Sequence, residues 1–147
     1  MPQRITFPID PDGLALDVQI GLPAAMLQAR LTQGQPLPPA ITVRALIDTG
    51  ADATSVAPDV LNRLGLVSSG QVRMTTASST LLVDRYEISL SIFGPAGVAG
   101  PALVRPLWNI TSFSQSLPGI EALIGMDLIR QIVLTIDGPG GLFTLEF

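Results

Sequence analysis

The stretch Ala45-Leu46-Ile47-Asp48-Thr49-Gly50-Ala51-Asp52 decides how this chain is read. Leu46 and Ile47 read as the end of a buried strand, and an acid follows them directly. A carboxylate at such an end sits on the rim of a core, where it costs free energy unless it is hydrogen-bonded or shares a proton. Gly50 lets the backbone turn sharply with its N–H close to that carboxylate. Thr49 adds a hydroxyl that both donates and accepts. Taken alone, Asp48-Thr49-Gly50 is most simply a strand-to-turn junction in which Asp48 accepts N–H bonds from the turn. The rest of the chain has to decide between that and chemistry.

At 147 residues the chain has the length of one domain, taken as residues 1–147. Apolar residues make up 47% and charged ones 14%, which is enough to fill a core. Thirteen Pro and fourteen Gly, spread throughout, call for many turns and mostly β structure. The net charge is −4, and the eight basic residues, all Arg, are scattered. Both features argue against nucleic acid or an acidic membrane surface as partner. There is no Cys and no His, which excludes disulfides, thiol nucleophiles, His-based triads and the usual zinc sites. An enzyme without a cofactor then has little besides Asp and Glu for acid–base work. No cofactor and no metal are expected. Residues 1–10 have no apolar core of the signal-peptide kind. No apolar run reaches the ~18 residues that suggest a membrane span. A soluble, cytoplasmic protein is the expectation.

Along the chain, residues 4–9 alternate and predict a first strand, and Asp10-Pro11-Asp12-Gly13 a turn. Residues 14–22 predict a second strand, with Leu14, Leu16, Val18 and Ile20 at period two. Residues 24–33 fit either a short helix or a strand. The Pro-rich residues 35–39 form a stiff connector, and residues 41–47 the strand that delivers Asp48. Pro58 and Asp59 suit the first turn of a short helix that Gly65 ends. Residues 71–76 and 81–93 predict two strands around the polar tip Ala77-Ser78-Ser79, and residues 94–97 turn the chain again. Residues 98–107 predict a strand broken at Gly100-Pro101, and residues 108–118 read as a loop. Residues 121–124 predict a short strand, Asp127 the N-cap of a helix through Gln131. Residues 132–136 and 142–147 flank a turn at 137–141 as a final hairpin.

Three blocks fall in an order that resembles the retropepsins, the single-domain, retroviral-type aspartic proteases. The first is Arg44-Ala45-Leu46-Ile47-Asp48-Thr49-Gly50-Ala51-Asp52. The second is Val83-Asp84-Arg85-Tyr86 with the strand that follows, similar to a descending flap strand. The third, Ala122-Leu123-Ile124-Gly125-Met126-Asp127-Leu128-Ile129-Arg130-Gln131-Ile132, is similar to the family's aliphatic-aliphatic-Gly step into its one well-formed helix. The resemblance covers residues 41–147 and leaves residues 1–40 as N-terminal strands and a family-atypical insertion. It implies a mostly β, closed barrel with a flap hairpin and one short C-terminal helix. It also implies an aspartic endopeptidase acting on peptide or protein substrates.

One Asp cannot be general base and general acid in the same step, whereas two close carboxylates sharing a proton divide the work. The chain has one Asp-Thr-Gly, and at this length no second lobe is expected. The second carboxylate then comes from a second copy, so a homodimer is expected. The resemblance implies catalytic roles for Asp48, Thr49 and Gly50: Thr49 locks two loops together across the axis, and Gly50 supplies an N–H to the dyad. It implies substrate contacts for Ala51 and Asp52 and, in the flap of residues 74–80, for Thr76, Ala77 and Ser78. Three departures stand out. The flap tip, Thr75-Thr76-Ala77-Ser78-Ser79-Thr80, has no glycine. Met126 stands where retroviral proteases carry Arg, so any Arg partner of Asp52 comes from elsewhere. Residues 1–40 are extra, so the terminal sheet of the dimer is expected to be built differently. The alternative is a catalytically inactive peptide-binding or dimerisation module on the same fold.

Overall fold

The computed structural model describes residues 1–147 except Thr76, Ala96 and residues 114–116. Thr76 as a flap contact, Ala96 in the turn at 94–97 and part of the loop at 108–118 therefore lie outside the described residues. The N-terminal run forms strand β1 (Arg4–Pro8), and the turn at Asp10 leads into β2 (Ala15–Gly21). Arg44 reaches both Asp10 and Asp17 from the neighbouring strand. The Asp12 N–H, with help from Arg44, holds the Asp10 carboxyl below the usual carboxylate range.

The ambiguous segment resolves as helix α1 (Ala24–Thr32). It is rich in Ala, Leu, Met, Gln and Arg, which are good helix formers, and has no β-branched run. It buries no residue fully, and Arg30 ties its end to the Pro-rich connector through the Pro36 carbonyl (3.2 Å). Strand β3 (Ile41–Ile47) follows, then β4 (Ser55–Val56) and helix α2 (Pro58–Arg63), with Pro58 in its first turn. Strands β5 (Gly70–Thr75) and β6 (Thr80–Ile92) form the long hairpin.

Strand β7 (Leu103–Ser112) runs on through residues expected to be loop. The reason lies at Pro106. Ile88 pairs with Trp108 and Leu90 with Arg105, so Pro106 and Leu107 together face Ser89 in a bulge. A bulge tolerates a residue without an N–H and hides the period-two signal on either side of it. The chain closes with β8 (Ala122–Ile124), helix α3 (Met126–Ile129), β9 (Val133–Asp137) and β10 (Leu142–Glu146). The short C-terminal helix is present, but α1 and α2 accompany it. It also ends at Ile129 rather than Gln131. Gly125, not Asp127, occupies its N-cap position.

The larger sheet runs β2-β3-β8-β4-β7-β6-β5, and β6 pairs back onto β2. Six strands thus close into a mixed barrel, with β5 left outside as the free arm of the hairpin. Inward-facing Val18, Ile20, Ala45, Ile88, Leu90, Ile110 and Ile124 are all at most 1% exposed. The second sheet, β1-β10-β9, covers part of this core. Phe7 and Phe143 are directly paired there, their rings stacked with centroids 5.2 Å apart. Such a pair contributes about 0.5–1.5 kcal/mol beyond the area it buries. Both chain ends are thereby paired within one chain, and Val133 and Ile136 on β9 stay exposed. Among the described residues no helix is long and apolar enough to cross a membrane.

Candidate active site

Strands β3 and β4 lie on opposite sides of β8. Residues 48–54, which join them, must therefore cross the C-terminal end of β8. The crossing begins at Asp48, whose N–H donates to the Ile124 carbonyl at 2.9 Å. It passes over Gly125, where a Cβ would lie 2.5 Å from the Ala53 carbonyl carbon and 2.6 Å from its oxygen. Only glycine fits that approach. Beyond it, the N–H groups of Met126 and Asp127 donate to the carbonyls of Ala51 and Asp52 at 2.8 and 3.0 Å.

Asp127 fastens the far side. Its Oδ1 accepts from the Thr54 N–H (3.0 Å), the Thr54 hydroxyl (2.8 Å) and the Leu128 N–H (2.9 Å). Its Oδ2 accepts from Trp108 Nε1 at 3.1 Å. Thr54, fully buried, also accepts from the Gly125 N–H at 3.2 Å. An acid expected only to cap a helix is thus the knot between the Asp48 loop, β7 and α3. The hint in the sequence was Trp108, an indole that needs an acceptor when partly buried.

On this support Asp48 is half-buried, and the Gly50 N–H donates to its Oδ1 at 2.9 Å. Gly50 does not adopt a left-handed conformation. Its value is closeness: a Cβ there would come within 3.2 Å of the same oxygen. Thr49 is exposed and makes no side-chain hydrogen bond among the described residues. Neither Asp48 nor Asp52 has an ion-pair partner among the described residues.

A cleft of about 640 Å³ opens beside this loop. Gly50, Ala51 and Asp52 line one side and Ala77 the roof, whereas Asp48, Thr49 and Ser78 lie outside the lining. The half-buried Val72 and Met74 of β5 also line it, as do Phe113 and Leu117. The floor is Leu123, Ser55 and Thr111, side by side on β8, β4 and β7. Met74 falls in the expected flap and Leu123 in the third block, but Ser55 and Thr111 were not singled out in the sequence. The floor residues come from three strands far apart in the chain, and no local pattern joins them. The volume suits a few side chains of an extended peptide, and an acid stands at its margin.

Comparison with known proteins bears on the family and the fold. The aspartyl protease family matches residues 29–128. The crystal structure of a retropepsin-like aspartic protease from Rickettsia conorii superposes with a TM-score of 0.58 at 15% identity, covering 100% of this chain and 93% of that one. At that identity the likeness shows the fold, which is retropepsin-like. No curated protein matches the chain. The family match spans more than two thirds of the sequence and contains both the Asp48 loop and its anchor at Asp127. The chain belongs to the aspartyl protease family.

Proposed function

We propose that the protein is a homodimeric aspartic endopeptidase in which Asp48 of each chain contributes one carboxylate to a shared site. The observation that carries this reading is Asp48 itself. It is held by the Gly50 N–H at the edge of a peptide-sized cleft, with no cation to neutralise it among the described residues. A carboxylate at the margin of its own chain's cleft is where a two-fold axis would bring a second one.

In the proposed dyad one carboxylate is ionised and takes a proton from water, whose oxygen attacks the scissile carbonyl. The other is protonated and hydrogen-bonds the carbonyl oxygen as charge develops there. Collapse of the tetrahedral intermediate breaks the C–N bond, and a carboxyl proton passes to the leaving amine. Thr49, exposed at the loop, would meet its counterpart across the axis. Asp52 and Ala51 would hold the substrate backbone, and the β5–β6 hairpin with Ala77 and Ser78 would close over it. A reading as an inactive binding module is favoured by the glycine-free tip alone, since the loop below it is complete.

Hydrolysis of an unfolded protein separates the two. Cleavage is expected, with a bell-shaped rate centred on the acid side of neutral. A hydroxyl-bearing transition-state mimic is expected to block it. Binding of peptides without turnover at any pH would leave only the inactive module.

A further inference from the structure

The floor of the cleft holds hydrogen-bonding capacity that the fold does not use. Leu123, Ser55 and Thr111 form one row across β8, β4 and β7. The next residues along or back, Ile124, Val56 and Ile110, are at most 1% exposed and face the core, so alternation turns the row toward the cleft it lines. Ser55 and Thr111 are only 7% and 4% exposed. Thr111 Oγ1 is shielded from solvent and has no hydrogen-bond partner among the described residues. Ser55 Oγ makes no hydrogen bond among them either. Thr54, one residue away, is the contrast: its hydroxyl both donates to Asp127 and accepts from Gly125.

Buried hydroxyls are nearly always paired, because an unpaired one loses its water without replacement. Two on neighbouring strands, on the face that lines a cleft, have a use when something polar enters. We propose that Ser55 and Thr111 form a polar subsite that reads one side chain of a bound peptide. It selects a neutral amide or hydroxyl side chain over an aliphatic one. This rests on the peptidase reading for the identity of the ligand. A carboxylate is the poorer occupant, because no cation shares the floor. Arg85, opposite Thr111 on β6, is exposed and outside the lining, and Arg73 lines the cleft only from the roof strand, where it is exposed and alternates with the half-buried Val72 and Met74. Leu123 supplies the apolar wall against which the side chain's carbons would pack.

The experiment uses a position-scanned peptide library with Asn, Asp or Leu at each place. Its binding is measured to the Asp48→Asn protein and its cleavage by the wild type. Asn and Leu are close in size, so the pair isolates hydrogen bonding. At one position Asn peptides are expected to bind about tenfold more tightly than Leu peptides, the worth of a satisfied buried group. Thr111→Val with Ser55→Ala should erase that ratio and leave preferences at other positions in place. Thr111→Ser, which keeps the hydroxyl, should retain it. Selective binding without cleavage by the wild type would uphold the subsite and defeat the peptidase reading. Leu or Asp preferred at every position, a ratio that survives in the double variant, or no binding at all would overturn the subsite.

Discussion

Residues 48–54 and the hairpin above them bound the same cleft, yet they are held in opposite ways. The loop is fixed to the barrel at four of its seven residues: Asp48 to β8, Ala51 and Asp52 to the start of α3, Thr54 to Asp127. The base of the hairpin joins the barrel through β7 and β2, but from Gly70 to Thr75 and from Thr80 to Asp84 it is held by the ladder between β5 and β6, and β5 pairs with no other strand among the described residues. Among the described residues of the hairpin's outer part, 70–86, only Val83 is buried, and Leu81 and Leu82 are 40% and 63% exposed. The difference matches what each part would do in the proposed dimer. A carboxylate that had to meet its partner within hydrogen-bond reach would need a preorganised mount. An element that opened for a peptide would be drawn from the weakly anchored end of the stability range.

The contrast is broken most severely at Gly125. A methyl group there meets backbone, not a side chain that can swing away. Gly125→Ala is expected to cost about 3 kcal/mol or more, read as a lower urea midpoint, and to abolish activity with it. Asp127→Ala comes next. It strands the buried Thr54 N–H and hydroxyl and the Trp108 indole, for a loss of about 2–3 kcal/mol. A Trp fluorescence change at the native baseline would place part of that loss at Trp108. A cost below ~0.5 kcal/mol would mean that the knot does not hold the loop.

The smallest effect belongs to the roof. Ser78 is exposed and outside the cleft lining. Ser78→Gly is expected to change stability by less than about 0.5 kcal/mol while freeing the tip to take left-handed conformations. Peptide turnover should shift a few-fold. A large stability loss there, with no change in turnover, would reverse the assignment of rigid floor and mobile roof.

Much of this architecture was legible beforehand where the signal is local. The Pro-rich connector before it and the apolar run into Asp48 placed the strand that delivers this acid at residues 41–47, and the structure gives β3 those same ends. The hairpins around residues 77–79 and 137–141 were marked by polar and Gly-rich turns. What escaped the sequence is specified over long distances. Strand β4 is only Ser55–Val56, too short for any period, and exists because β7 and β8 accept it between them. The second half of β7 was hidden by the bulge at Pro106. Asp127 resembled a helix cap because an acid before an apolar turn usually is one. Its partners, Thr54 and Trp108, lie 73 and 19 residues away. Of the candidate site, the structure gathers Gly50, Ala51, Asp52 and Ala77 around one cleft and places Asp48, Thr49 and Ser78 outside its lining.

The central claim is that one working site needs Asp48 from each of two chains. It is tested by co-refolding wild-type protein with Asp48→Asn protein at several ratios and measuring peptide cleavage, with chain exchange verified by mass spectrometry. Asn is nearly isosteric and preserves the loop, but it cannot take up or release the shared proton, so a mixed dimer is expected to be nearly inactive. Activity should then fall with the square of the wild-type fraction, leaving about a quarter at equal mixing under random two-fold pairing. A linear fall, with about half the activity left at equal mixing, would mean that each chain works alone, contradicting the shared site.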